Sequence, residues 1–105
     1  TGRPVYDVPA ATAVAAMLRH MRTNLGADLL LVEGGPSINA ELFSQGAVDE
    51  IFLSVGPRIV GGRDVLTPVE GDGHFLRDTA PRLTLLHAHP NMETDEVYLR
   101  YRVRR

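Results

Sequence analysis

A short apolar run that ends in two glycines and a proline constrains the fold of this chain more than any other feature. Leu29 to Val32 are four consecutive aliphatic residues, and Glu33-Gly34-Gly35-Pro36 follows them directly. A continuous apolar run of this length is typical of a strand that is buried on both faces, as parallel strands are. Glycine permits a tight turn, and proline is favoured in the first turn of a helix. The segment therefore predicts a buried strand over 28–33, followed by a short helix over Ser37–Gln45 that Gly46 ends.

Helical periodicity precedes this strand. Asp7 is the predicted N-cap of a first helix, Pro9 lies in its first turn and Gly26 ends it. Arg3–Tyr6 would add a short strand before the helix. The apolar residues of the helix recur three and four positions apart and form one stripe: Val14, Met17, Leu18, Met21 and Leu25.

Strand periodicity returns after the second helix. Val48–Val55 alternates between apolar and other residues, with Ile51, Leu53 and Val55 on one face. Because a helix separates this strand from the strand over 28–33, the two are expected to lie parallel with a right-handed crossover.

The C-terminal part of the chain has the pattern of an antiparallel hairpin. Arg82–Ala88 and Glu96–Val103 both alternate, and a turn is predicted around Pro90-Asn91. The predicted fold class is therefore α/β, with a mixed, mostly parallel sheet that ends in this hairpin.

A segment rich in glycine and proline lies between the Val48–Val55 strand and the C-terminal hairpin. Residues 56–82 hold eight of the seventeen glycines and prolines of the chain, which predicts a long irregular loop. Loops of this length are often functional. Within it, Gly61-Gly62-Arg63-Asp64 either lines a ligand groove, with Arg63 near a phosphate, or is a plain turn.

Composition narrows the possible functions. A length of 105 residues, 44% of them apolar, describes one small globular domain. All eleven basic residues are arginine, so chemistry that depends on a Schiff-base lysine or a P-loop lysine is excluded. The absence of cysteine excludes disulfides, thiolate catalysis and cysteine-based metal sites.

Charge and hydropathy exclude two classes of partner. A formal net charge of −2 without a basic stripe argues against nucleic-acid binding. No apolar run approaches the ~20 residues of a membrane helix, and the N-terminus has no signal-peptide pattern. A cytoplasmic protein without a membrane partner is therefore expected.

The Glu33–Ser37 stretch is the candidate binding site, and two interpretations of it remain open. A strand that ends in glycines before a helix presents free N–H groups and a positive helix end to an anion, beyond the carboxyl end of the strand. The same residues are also explained as a tight strand-to-helix turn. Glu33 favours a ligand, because an acid after four aliphatic residues needs water, a partner or a ligand.

Other polar residues have simpler explanations. Ser37 lacks a nearby histidine base, so a helix-opening serine is preferred over a nucleophile. His87 and His89 share a strand face, but a third zinc ligand is missing from the pattern, so surface histidines without a metal are expected. Asp49 and Glu50 are adjacent in a strand and point to opposite faces, which rules out an acid–base pair.

Three ordered blocks of the sequence resemble a known family. The blocks are Leu-Leu-Leu-Val-Glu-Gly-Gly-Pro-Ser-Ile-Asn-Ala-Glu-Leu-Phe at 29–43, Gly-Ala-Val-Asp-Glu-Ile at 46–51 and Gly-Pro-Arg-Ile-Val-Gly-Gly at 56–62. Together they resemble the reductase domain of riboflavin biosynthesis, which has a three-layer dihydrofolate-reductase-like fold. The resemblance covers about residues 10–62 and is more specific than any single block.

The resemblance implies an NADPH-dependent reduction of a ribosylaminopyrimidine 5′-phosphate, as in a 5-amino-6-(5-phosphoribosylamino)uracil reductase. Hydride would reach the opened sugar and give a ribitylamino product. The alternative is a non-catalytic nucleotide-binding or dimerisation module that keeps the fold. Glu33 would hydrogen-bond the substrate. The implied cofactor-binding residues are Gly34, Gly35, Pro36, Ser37, Ile38 and Asn39.

The resemblance also implies that residues 1–105 correspond to the C-terminal half of the family's reductase domain. In that family the preceding strands supply most substrate contacts and the rest of the cofactor groove. A half-sheet leaves edges and apolar faces that need cover. We therefore expect this chain to associate with the N-terminal half or with a second copy as a homodimer.

Overall fold

A computed structural model describes residues 12–71 and 75–105. The described residues form two helices and three strands: α1 (Ala13–Thr23), α2 (Pro36–Ser44), β1 (Glu50–Val55), β2 (Leu83–Asn91) and β3 (Glu96–Val103). The predicted strand over Arg3–Tyr6, the N-cap Asp7 and the first-turn Pro9 lie outside the described residues. Within the described ranges, neither helix is long and apolar enough to cross a membrane.

Helix α1 follows the predicted apolar stripe. The stripe residues inside the helix, Val14 to Met21, are half-buried, and α1 contacts α2. The helix ends at Thr23, three residues before Gly26, which adopts a φ of +65°. Leu25 lies beyond the end of the helix and is exposed, so the stripe is one residue shorter than the periodicity predicts.

Helix α2 begins and ends within one residue of its predicted bounds. Pro36 occupies the first helical position, after Gly35 as the N-cap. At the other end, the Gly46 N–H donates to the Phe43 carbonyl (3.0 Å) and the Ala47 N–H donates to the Leu42 carbonyl (2.9 Å). This pair of bonds, with Gly46 at φ +62°, is a Schellman motif. Leu42 is 5% exposed, and no other described residue is buried as deeply.

The three strands form one antiparallel sheet in the order β1-β3-β2. The C-terminal hairpin is confirmed, with β2 paired to β3. Its turn is not where it was predicted: Pro90 and Asn91 still belong to β2, and the chain reverses over residues 92–95. The Asn91 side chain accepts a hydrogen bond from the Glu93 N–H (3.1 Å), which stabilises the later turn.

The α/β class is confirmed, but the predicted mostly parallel sheet is wrong for the described residues. Residues 28–33 are in no strand, and β1 pairs antiparallel with β3. A strand exists only where a neighbour accepts its backbone hydrogen bonds. No described strand pairs with this run, and Leu29 and Leu31 are 91% and 74% exposed. The sequence pattern of a buried strand is present, but its partner is not among these residues.

The two faces of the sheet differ. One face carries Phe52 below the guanidinium of Arg100, at 5.4 Å from the ring centre. The Arg100 guanidinium also donates twice to Glu50, both at 2.9 Å. The other face is apolar, and Ile51 and Leu83 on this face line a cavity of about 210 Å³ together with Phe43 of α2.

Candidate functional site

The candidate site is the turn that leads into α2. Gly34 has a φ of +85°, and the peptide bond between Gly34 and Gly35 is cis. Gly35 is extended, with φ −82° and ψ −166°, and serves as the N-cap without any side-chain capping bond. A positive φ favours glycine, because a Cβ would collide with the backbone.

The space above both glycines is open. A Cβ built on Gly35 would meet no atom within 4 Å, and one built on Gly34 would meet only the Asn39 side-chain amide nitrogen, at 3.9 Å. Both glycines are exposed. No side chain of the described residues fills the turn, so a ligand can approach the backbone closely here.

Two backbone donors point out of the start of the helix. The first helical hydrogen bond runs from the Asn39 N–H to the Gly35 carbonyl (3.1 Å). Pro36 has no N–H, and within the described residues the N–H groups of Ser37 and Ile38 donate to no protein acceptor. Free N–H groups and the positive end of the helix dipole attract an anion. The turn and these two donors together form the cradle, which comprises residues 34–38.

The other predicted site residues lie directly before the cradle, within it or at the next position of α2. Glu33 is exposed and directly precedes Gly34, and Ser37 is exposed in the first turn of α2. Ile38 is half-buried in the same turn of the helix. Asn39 is also half-buried, and its side-chain amide donates to the Pro68 carbonyl (2.8 Å).

The long loop contributes a contact that the sequence pattern did not predict. Residues 67–70 return to the first turn of α2, where the Glu70 N–H donates to the Pro36 carbonyl (3.1 Å). Nothing in the spacing of Pro68 or Glu70 indicates this contact, because it depends on tertiary placement alone. Further along the loop, Gly62 has a φ of +106°, and a Cβ there would lie 2.8 Å from Val65. This position requires glycine for a local reason, whereas Arg63 is exposed and forms no ion pair within the described residues.

The other polar residues singled out in the sequence lie in the strands or directly beside them. His87 and His89 share one face, as predicted, and their rings stack at 5.9 Å. No group of three possible metal ligands occurs within the described ranges. Asp49 pairs with Arg105 (2.6 Å), whereas Glu50 pairs with Arg100. The two adjacent acids therefore have different partners.

Solved structures with the same arrangement of elements are reductase-like proteins. A pyrimidine reductase-like protein from Corynebacterium diphtheriae superposes with a TM-score of 0.83, covering 99% of this chain and 40% of that protein at 24% identity. RibD from Acinetobacter baumannii superposes with a TM-score of 0.73, covering 95% of this chain and 26% of that protein at 18% identity. The class is therefore a small α/β protein that shares its fold with RibD-like reductases.

Sequence comparison identifies the family. A model of the RibD C-terminal domain matches residues 7–93. The chain belongs to the RibD C-terminal domain family, which confirms the resemblance seen in the three sequence blocks.

Individual relatives match a shorter part of the chain. A 2,5-diamino-6-ribosylamino-4(3H)-pyrimidinone 5′-phosphate reductase from Methanothermobacter thermautotrophicus is 38% identical over 65 residues, 62% of this chain and 30% of that protein. The enzyme of the same name from Aquifex aeolicus is 52% identical over 48 residues, 46% of this chain and 21% of that protein. Riboflavin biosynthesis protein RibD from Actinobacillus pleuropneumoniae is 38% identical over 58 residues, 55% of this chain and 15% of that protein. The matches thus span less than a third of each relative's length.

Proposed function

We propose that the protein containing this chain is an NADPH-dependent reductase of riboflavin biosynthesis that acts on a ribosylaminopyrimidine 5′-phosphate. The observation that carries the proposal is the open cradle at the N-terminus of α2. The family match and the relatives named as pyrimidinone phosphate reductases support it. In this proposal a ribosyl group is reduced to a ribityl group. A cytoplasmic location remains a prediction from composition.

The residues of the cradle fit the phosphate-bearing part of a dinucleotide. The free N–H groups of Ser37 and Ile38 would donate to phosphate oxygens, and the helix dipole favours their negative charge. The absence of a Cβ at Gly34 and Gly35 allows the ligand to lie against the backbone. Pro36 sets the direction of the first helical turn.

Reduction itself is chemistry that the nicotinamide supplies as a hydride donor. Glu33 directly precedes the cradle and is exposed, so its carboxylate is available to accept a hydrogen bond from a substrate hydroxyl or amino group. The contribution of this chain is then to hold the cofactor and the substrate close together in a fixed orientation.

We also propose that this chain is the C-terminal half of a larger dihydrofolate-reductase-like domain. In that domain a further strand would lie between β1 and the Leu29–Val32 run, which would make the sheet mixed and bury the run on both faces. The partner is the N-terminal half of the same protein, and the complete protein is proposed to be a homodimer.

The test is a titration of the full-length protein with NADPH, followed by the change in NADPH fluorescence. The ribosylaminopyrimidine 5′-phosphate is then added, and NADPH oxidation and the ribitylamino product are measured. Binding followed by stoichiometric oxidation is the expected result. Binding without oxidation would favour the alternative of a non-catalytic nucleotide-binding module. An absence of binding up to millimolar NADPH would contradict the proposal.

A further inference from the structure

Residues 67–70 (Thr67, Pro68, Val69 and Glu70) form a short segment that is attached to the first turn of α2 at two points. The Asn39 side chain donates to the Pro68 carbonyl at 2.8 Å, and the Glu70 N–H donates to the Pro36 carbonyl at 3.1 Å. The Thr67 hydroxyl also donates to the Val69 carbonyl at 2.9 Å, which makes the segment internally compact. Most of the loop around it is exposed, but Glu70 is half-buried.

The same segment has an apolar side chain next to α2 and the sheet. Val69 lines the 210 Å³ cavity together with Phe43 and Ile51, and it is 38% exposed. The two hydrogen bonds to Asn39 and Pro36 therefore hold the segment. A loop held at two points has fewer conformations than its glycine and proline content predicts.

Asn39 connects the segment to the cradle. Its amide nitrogen donates to Pro68 and also lies 3.9 Å from a Cβ built on Gly34; apart from the chain neighbours of Gly34, it is the one atom of the described residues within 4 Å. The 67–70 segment thus meets the cradle at two places, directly at Pro36 and through the Asn39 amide beside Gly34. The hydrogen bond to the Pro68 carbonyl therefore holds the Asn39 amide and the 67–70 segment in place relative to each other.

We propose that Asn39 is a positioning residue, which holds the 67–70 segment beside Gly34 so that the segment forms one fixed side of the cofactor groove. This inference rests on the proposed function, because it assumes that the cradle binds NADPH. It differs from the prediction that Asn39 contacts the cofactor directly. In the positioning role, loss of the Asn39 amide releases the segment, and the weaker cofactor binding follows from that release.

The experiment compares Asn39→Ala with the parent in the full-length protein. Alanine is chosen because an aspartate at this position would repel the cofactor phosphates directly. The control is Ser44→Ala, which removes a side-chain hydrogen bond to the Glu41 carbonyl at the opposite end of α2. Three quantities are measured: the dissociation constant of NADPH, kcat at saturating NADPH, and the hydrogen-exchange rate of the Glu70 amide in the protein without cofactor.

We expect Asn39→Ala to accelerate exchange of the Glu70 amide and to raise the dissociation constant by about fivefold, the effect of one neutral hydrogen bond. The value of kcat at saturation should stay within about twofold of the parent, since the substituted group does not touch the reacting atoms. Ser44→Ala should change none of the three quantities.

Each other outcome contradicts a stated part of the proposal. Weaker NADPH binding with unchanged Glu70 exchange would mean that Asn39 contacts the cofactor directly. Faster exchange with unchanged binding would mean that the segment is not a side of the groove. If the parent binds no NADPH, the proposed function fails and the groove role fails with it, whereas the exchange rate still reports whether Asn39 holds the segment.

Discussion

Gly34 and Gly35 are neighbours, but they are glycine for different reasons. Gly34 has a positive φ, so any other residue would strain the backbone there. Gly35 has a negative φ, and the described residues leave open space around its Cα, so they tolerate a side chain at this position. A requirement for glycine at Gly35 would therefore come from a ligand and not from the fold. This difference makes Gly35 the sharper probe of the site.

We predict that Gly35→Val abolishes NADPH binding and leaves the fold intact, because the side chain fills the cradle without meeting protein atoms. Fluorescence titration gives the binding, and thermal unfolding gives the stability. The matched control is Gly56→Val, since Gly56 also has no positive φ and no atom within 4 Å of a built Cβ. Tight NADPH binding by Gly35→Val would place the cofactor elsewhere.

At the scale of elements, α2 is set by local signals at both of its ends. Pro36 begins the helix, and the Schellman motif at Gly46 ends it. These signals lie within the helix and its next residues, so they act without tertiary contacts. The place of the helix and its cradle in the molecule depends instead on contacts with distant residues, such as the hydrogen bond from Glu70 to Pro36.

We predict that Gly46→Ala lowers the free energy of unfolding by about 1 kcal/mol, the cost of placing a Cβ at a positive φ. A Cβ at Gly46 meets no atom within 4 Å, so the cost is backbone strain without a steric clash. Chemical denaturation measures the change. Gly56→Ala, at a position without a positive φ, serves as the control and should not destabilise the protein.

At the scale of the whole molecule, the described residues contain apolar surface that they do not cover. Leu29 and Leu31 are largely exposed, although the sequence around them has the pattern of a strand buried on both faces. The β1 edge of the sheet is likewise unpaired within the described chain, whereas the β2 edge carries Pro90 and a register shift between Leu85 and His87. Proline and a bulge discourage further pairing at β2, so a sheet extended by other residues would grow from β1.

We predict that Leu31→Glu destabilises the full-length protein by more than about 2 kcal/mol, because a carboxylate would be buried without a partner in the extended sheet. Met92→Glu is the matched control. Met92 is 80% exposed and Leu31 is 74% exposed in this structure, but Met92 lies in the hairpin turn. The free energy of unfolding of Met92→Glu should stay within about 0.5 kcal/mol of that of the parent. Equal effects of the two changes would contradict an added strand beside Leu29–Val32.

Features that depend on near neighbours in the chain could be predicted from the amino-acid sequence. The apolar stripe of α1, the bounds of α2 and the two strands of the hairpin follow from periodicity, proline and glycine, which act over a few residues. The sequence also located the cradle, because a strand-like run, two glycines and a helix start are adjacent in the chain. The hairpin turn was misplaced by two residues, since Asn91 stabilises a later turn from within β2.

Only the tertiary structure decided the features that depend on distant residues. Three features depend on residues that are far apart in sequence: the pairing of β1 with β3, the attachment of the 67–70 segment to Asn39 and the lack of a partner strand for Leu29–Val32 within the described residues. Strand pairing has no local signal for its partner or direction, because its hydrogen bonds form between segments that the chain brings together only on folding. A backbone carbonyl such as that of Pro68 is present in every residue, so no pattern of side chains could have indicated which one Asn39 binds.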